Sequence, residues 1–130
     1  MMTTELIVLG LSVILLVVHI GFQGQSVTKE RGATWNASPR DAKEPTLGQF
    51  AGRAQRALDN YKETWPAFIG LALGLAVSGQ SGGIGAIGAC VWFGARIVYL
   101  PLYLLGVPGW RSAVYLVSLA GLVMMLVRFF

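Results

Sequence analysis

The first long apolar stretch of the chain covers residues 6–22 and reads LIVLGLSVILLVVHIGF. It contains no Asp, Glu, Lys or Arg, and its length approaches the ~20 residues that an α-helix needs to cross the hydrocarbon core of a bilayer. Two further apolar stretches, over residues 83–105 and 112–129, have a similar length, and each contains a single Arg. The sequence therefore predicts an all-α membrane protein.

The composition of the whole chain supports this class. Of 130 residues, 55% are hydrophobic and 12% are charged, whereas a soluble domain carries about 25% charged residues. Twelve of the 16 charged side chains lie between residues 29 and 63, where basic and acidic residues alternate. The net charge of +4 therefore forms no basic stripe for nucleic acid. A single Cys and a single His exclude an intramolecular disulfide and a metal site built from these residue types.

The apolar stretches and the turns between them predict one domain, residues 1–130, that forms a bundle of four transmembrane helices. The second helix has a short apolar part, residues 65–78, but residues 46–64 before it show helical periodicity and extend it. Two prolines and mixed charges predict a long loop over residues 24–46. The predicted spans cover about residues 5–23, 48–78, 83–105 and 111–129.

The distribution of basic residues predicts the orientation of these spans. Residues 29–62 contain seven Lys or Arg, and Arg111 lies on the same side, whereas Arg128 lies opposite. Positively charged loops stay in the cytoplasm, so the 24–46 loop is predicted to be cytoplasmic and both termini to lie outside. Small residues four apart, such as Gly70 and Gly74, allow close helix packing within a subunit or between subunits.

The second predicted helix carries a polar face close to its apolar half. At about 100° per residue, four side chains fall within roughly 80° of one face. They are Arg53, Arg56, Asn60 and Glu63. Polar groups at this depth are costly unless they pair or line a wet cavity. Two interpretations remain open: a solvated cap on the second span, or one wall of a binding site.

The third predicted helix has a matching face. Arg96, Tyr99 and Tyr103 are spaced at i, i+3 and i+7 in an otherwise apolar span. An Arg inside a membrane span is a candidate functional residue, and its predicted partner is Glu63. A purely structural ion pair and interfacial tyrosines are the alternatives. With Arg111 at the start of the fourth helix, the cluster suits a small ligand with several carboxylates and an ammonium group, because Arg binds carboxylates bidentately.

The pattern Arg56-Ala57-x-x-Asn60-x-x-Glu63, followed by Arg96-x-x-Tyr99-x-x-x-Tyr103 and Arg111, resembles the MAPEG family, the membrane-associated proteins in eicosanoid and glutathione metabolism. Its members include microsomal glutathione transferases, leukotriene C synthase and the five-lipoxygenase-activating protein. The resemblance extends from about Gly48 to the C-terminus. The chain looks like a bacterial-type member, so the resemblance implies a multi-pass protein of the bacterial inner membrane.

The resemblance also implies a homotrimer that binds glutathione between neighbouring subunits near the cytoplasmic face. It assigns the tripeptide to five positions and the thiolate to Arg111. Those five positions are Arg56, Asn60, Glu63, Tyr99 and Tyr103. Arg53 and Arg96 join the predicted binding set because they share the same helix faces. The implied reaction is attack of the thiolate on a lipophilic electrophile from the bilayer, or reduction of a lipid hydroperoxide.

Several positions depart from the enzymatic relatives, so other functions stay open. The first helix lacks the Arg that enzymatic relatives carry near its cytoplasmic end, and Leu58 and Thr64 replace a polar and an aromatic residue of some relatives. One alternative is a non-catalytic member of the family that binds membrane lipids or acts as a scaffold. A second is a small multidrug transporter, which also has four short helices but needs an acidic residue within a span.

Overall fold

A computed structural model describes residues 2–41 and 44–130 and is helical throughout its regular structure. The helices are α1 (Thr4–Arg31), α2 (Ala33–Ala37), α3 (Gln49–Val77), α4 (Gly83–Leu105) and α5 (Trp110–Val127). Within the described residues, α1, α4 and α5 are long and apolar enough to cross a membrane. The all-α membrane class is thus confirmed. The 29-residue α3 does not meet this criterion, because its first half carries the polar face, and the count of four spans stays a prediction.

The first helix is longer than its apolar stretch. It continues from the predicted end of the first span, residue 23, to Arg31, and Gly32 with φ of 88° ends it. Glycine adopts such a φ without strain. The short α2 follows, and the Asn36 Nδ2 donates a hydrogen bond of 3.0 Å to Thr28 Oγ1. The segment 24–46, predicted as a loop, therefore begins with two further turns of helix. Polar residues can continue a helix beyond its apolar part, so the change in polarity does not mark the end of α1.

Aromatic side chains fill the centre of the bundle. Phe68 of α3 stacks on Trp92 of α4 with ring centroids 4.1 Å apart, and both are fully buried. The Tyr61 hydroxyl donates to the backbone oxygen of Ser12 at 2.6 Å, and the Trp65 indole donates to the Ser12 hydroxyl at 3.0 Å. Ser12, a polar residue in the apolar stretch of α1, thus joins α1 to α3 through hydrogen bonds shielded from water.

Helices α4 and α5 approach each other through two glycines. A Cβ on Gly88 would lie 2.5 Å from the Gly121 oxygen, and a Cβ on Gly121 would lie 2.6 Å from the Trp92 nitrogen. Only glycine permits backbones to approach this closely, which is how small residues pack membrane helices. At Gly70, by contrast, no described atom outside its own stretch of helix lies within 4 Å of such a Cβ, so this glycine makes no comparably close helix contact within the described residues.

A buried carboxylate stabilises the end of the bundle at which α3 turns into α4. Glu5 is fully buried, and its Oε1 accepts a hydrogen bond of 2.7 Å from the backbone nitrogen of Gly82, in the turn between α3 and α4. The Arg128 Nε donates to the Gln80 oxygen of the same turn at 2.8 Å. Both chain ends therefore contact this turn, and Glu5, for which the sequence suggested no role, links α1 to it.

Candidate functional site

A polar pocket of about 500 Å³ opens between α3, α4 and α5. Six of the eight predicted site residues line it: Arg56, Asn60, Glu63, Tyr99, Tyr103 and Arg111. The helical periodicity of α3 and α4 directs the first five side chains toward the pocket, and Arg111 enters it from the first turn of α5. The structure thus brings together residues that lie up to 55 positions apart in the sequence.

Two guanidinium groups converge on Tyr103. The Arg56 Nε donates to the Tyr103 hydroxyl at 3.2 Å, and the Arg111 guanidinium lies 4.6 Å from the centroid of the same ring. The negative face of an aromatic ring attracts a cation at this distance. Both arginines are exposed, so their remaining N–H groups can reach a ligand. This side of the pocket therefore suits an anion such as a carboxylate or a thiolate.

The other side of the pocket carries negative charge. Glu63 is exposed and lies seven residues after Arg56 on α3, which corresponds to about 10 Å along the helix axis. A carboxylate pairs well with an ammonium group. The pocket is therefore complementary to a ligand of about this length that has an ammonium group near Glu63 and anionic groups near Tyr103.

Arg96 lies behind the pocket. It is fully buried, its guanidinium lies 4.3 Å from the centroid of the Tyr99 ring, and its Nη1 donates to the Asn60 Oδ1 at 2.7 Å. The predicted ion pair with Glu63 is wrong, since no such pair forms among the described residues. Asn60 occupies the side of α3 that faces Arg96, whereas Glu63, almost one turn further on, is exposed to solvent.

Arg53 lies outside the pocket, although it shares a helix face with the pocket residues. Its Nη1 donates to the backbone oxygen of Leu104 at 3.3 Å, and its guanidinium lies over Gly106. The C-terminal end of a helix attracts a cation, so Arg53 caps α4. It precedes Asn60 by seven residues, about 10 Å along the axis, and this distance is what keeps it away from the centre of the pocket.

Comparison with known families supplies the remaining observation. A family model described as MAPEG family matches residues 6–130. The chain belongs to the MAPEG family. Searches of curated proteins and of solved structures find no significant match. The match includes α1, which lies outside the motifs that suggested the family. Together with the three apolar helices, it makes the chain an integral membrane protein of a family associated with glutathione-related enzymes and scaffolds.

The pocket of this MAPEG protein also contains residues that the sequence patterns did not predict. They are Asp59, Ser112, Tyr115 and Leu116. Tyr115 follows Arg111 by four residues, so the i, i+4 rule applied to α5 would have found it. The Asp59 carboxylate lies 3.8 Å from the Lys62 ammonium and accepts a hydrogen bond from Gln55. Asp59 is thus already paired along the helix surface, whereas Glu63 forms no ion pair among the described residues.

Proposed function

We propose that this MAPEG protein is a glutathione-dependent transferase or peroxidase that acts on lipophilic electrophiles or lipid hydroperoxides. The observation that supports this function is the convergence of Arg56 and Arg111 on Tyr103 in a pocket that also contains Asn60 and Glu63. Glutathione has two carboxylates, an ammonium group, two peptide groups and a thiol. Its charges match the cationic and anionic sides of the pocket, and a related thiol with the same charges would also fit.

In this proposal Arg56 binds a carboxylate, Glu63 binds the ammonium group and Arg111 stabilises the thiolate. Arg111 is suited to this role because it lies in the first turn of α5, where the helix dipole adds to its positive charge. A nearby cation lowers the pKa of a thiol and raises the thiolate fraction at neutral pH. The thiolate sulfur then forms a C–S bond with the electrophile, and the leaving group departs with the electrons of the broken bond.

We further propose that the pocket is completed by a neighbouring subunit of a homotrimer in a bacterial inner membrane, with both termini outside the cytoplasm. The support for a second subunit is that the pocket is open on one side, where Glu63, Arg111 and Leu116 are exposed. Charged side chains at the edge of an apolar bundle are costly next to lipid. A neighbouring subunit or a bound ligand would cover them.

A non-catalytic function in lipid binding is the second candidate, and the structure contains a groove that such a function would use. An almost purely apolar groove of about 430 Å³ runs between α3 and α5, lined by Ala67, Gly70, Leu71, Leu122, Val123 and Leu126. Such a groove can accept an acyl chain. An apolar groove serves a lipophilic substrate equally well, so a turnover measurement must decide between the two functions.

The test is turnover of purified protein in detergent with glutathione and chlorodinitrobenzene, together with the ultraviolet absorbance of the thiolate. A thiol with a pKa of about 8.5 is about 3% ionised at pH 7, and an adjacent cation lowers the pKa by about 1–3 units. Arg111→Leu should therefore decrease the thiolate signal about tenfold or more. Arg128→Leu, the same change at the other end of α5, is the control. No turnover and no thiolate signal in the unmodified protein would refute the enzyme function.

A further inference from the structure

A second groove lies where the apolar part of α1 ends. It has a volume of about 590 Å³ and runs between the polar extension of α1 and the first turn of α3. Two aromatic and two charged side chains are among those that line this interfacial groove: Phe22, Phe50, Lys29 and Glu30. The interfacial groove shares no lining residue with the polar pocket, so a ligand bound there would be distinct from glutathione.

The floor of the interfacial groove is aromatic. Phe22 is the last residue of the first apolar stretch, and Phe50 belongs to the polar half of α3. They are 41% and 47% exposed, respectively, and neighbouring exposed apolar side chains indicate contact with a membrane or another molecule. Because Phe22 lies at the predicted edge of the hydrocarbon core, acyl chains are the apolar groups closest to this floor.

Lys29 supplies a positive charge to the same groove. It follows Phe22 by seven residues, so the two side chains share one face of α1 and lie about 10 Å apart along the helix axis. Lys29 therefore lies at the level of the lipid headgroups when Phe22 lies at the edge of the hydrocarbon core. Its ammonium group is exposed and forms no ion pair among the described residues, so it is able to bind a phosphate.

Glu30 supplies a negative charge beside Lys29. The Gly48 N–H donates to its carboxylate, with both oxygens 3.0 Å from the nitrogen, and this contact joins the end of α1 to the beginning of α3. A carboxylate has about four lone-pair sites, and Glu30 is exposed, so it is able to accept further hydrogen bonds. A headgroup with a phosphate alone would meet this carboxylate as well as the Lys29 ammonium, whereas a headgroup with both charges is complementary to both side chains.

We propose that the interfacial groove binds a phospholipid whose headgroup contains a phosphate and a primary ammonium group, as in phosphatidylethanolamine. Lys29 binds the phosphate, Glu30 accepts hydrogen bonds from the ammonium group, and the acyl chains lie against Phe22 and Phe50. This site is separate from the apolar groove between α3 and α5. Lipid binding there requires neither glutathione nor turnover, so it is tested independently of the proposed function.

Lipids that differ only in the headgroup test the proposal on the unmodified protein. The protein in a neutral detergent is titrated with dioleoyl phosphatidylethanolamine, phosphatidylcholine or phosphatidylglycerol, and bound lipid is counted by native mass spectrometry. Phosphatidylcholine keeps both charges but has no N–H donor, and phosphatidylglycerol has no ammonium group. Phosphatidylethanolamine should bind about fivefold more tightly than either, the effect of one exposed ion pair. Equal or tighter binding of either of the other lipids would overturn the proposal.

Two variants locate the binding in the interfacial groove. Lys29→Gln should weaken the binding of phosphatidylethanolamine about fivefold, and Phe50→Ser should weaken the binding of all three lipids, because they share the same acyl chains. Lys62→Gln removes an exposed Lys outside the groove and is the control, which should bind like the unmodified protein. If Lys29→Gln binds phosphatidylethanolamine as tightly as Lys62→Gln does, the proposal is wrong. A neighbouring subunit that covers the groove would give the same result.

Discussion

Replacing Gly121 by Ala tests whether direct backbone contact holds α4 and α5 together. The new Cβ would lie 2.6 Å from the Gly88 oxygen and 2.6 Å from the Trp92 nitrogen. Ordinary Cβ contacts begin at 3.4 Å, so the two helices would have to separate locally by about 0.8 Å, since neither backbone atom can rotate away as a flexible side chain would.

The expected loss of stability follows from two opposing effects. A gap of 0.5–1 Å removes about a quarter to a half of the dispersion energy of the atom pairs it separates, and overpacking of a tight interior costs about 1–3 kcal/mol. Alanine recovers up to about 1 kcal/mol relative to glycine within a helix. Because the obstructing atoms belong to the backbone, the packing cost should lie near its upper limit, and the net loss should be about 2 kcal/mol.

The matched control is Gly94→Ala in α4, where no described atom outside the same stretch of helix lies within 4 Å of the added Cβ. Unfolding by sodium dodecyl sulfate in mixed micelles, followed by circular dichroism, measures both variants against the unmodified protein. Gly94→Ala should be as stable as the unmodified protein or slightly more stable. If Gly121→Ala unfolds at the same detergent fraction as Gly94→Ala, then α4 and α5 are not held by this contact.

Three further changes test individual hydrogen bonds. Tyr61→Phe removes the bond to the Ser12 oxygen and should cost about 1 kcal/mol in the same unfolding assay; an equal midpoint would argue against the α1–α3 link. Glu5→Ala leaves the backbone amide of the α3–α4 turn unpaired and should lower the free energy of unfolding by about 1–3 kcal/mol. A variant as stable as the unmodified protein would contradict this role of Glu5. Tyr103→Phe keeps the ring but frees Arg56, so KM for glutathione should rise several-fold with kcat little changed; unchanged KM would exclude this bond from binding.

The helical class could be predicted from the sequence because hydropathy and turn residues act locally. Long apolar stretches separated by glycine-containing turns leave few alternatives to membrane helices. The end of α1 could not be predicted in this way. Hydropathy predicts where the membrane span ends, near residue 23, whereas the helix ends where the backbone changes direction at Gly32. The end of an apolar stretch and the end of a helix have different physical causes. The polar residues between these two points are helical although they are not apolar.

The candidate site could be predicted only as far as helical periodicity reaches. Periodicity gives the angle of a side chain around its axis, and it placed Arg56 and Asn60 on one face. It gives no information on the register between two helices, which decides whether Arg96 contacts Asn60 or Glu63. The position of a side chain along the helix axis relative to the pocket could not be predicted for the same reason. Arg53 points in the same direction around α3 as the pocket residues but lies at the end of α4. Register and depth depend on tertiary packing, above all on which helices approach closely.

The glycine contact between α4 and α5 therefore affects the pocket as well as stability. Arg111 precedes Gly121 by ten residues on one continuous helix, a distance of about 15 Å. If α5 as a whole shifts outward by the same ~0.8 Å, the Arg111 guanidinium moves from 4.6 Å toward the ~6 Å limit of attraction by the Tyr103 ring, whereas a separation confined to Gly121 leaves this contact in place. The thiolate signal of Gly121→Ala distinguishes these two cases, because only the first moves the cation that is proposed to stabilise the thiolate.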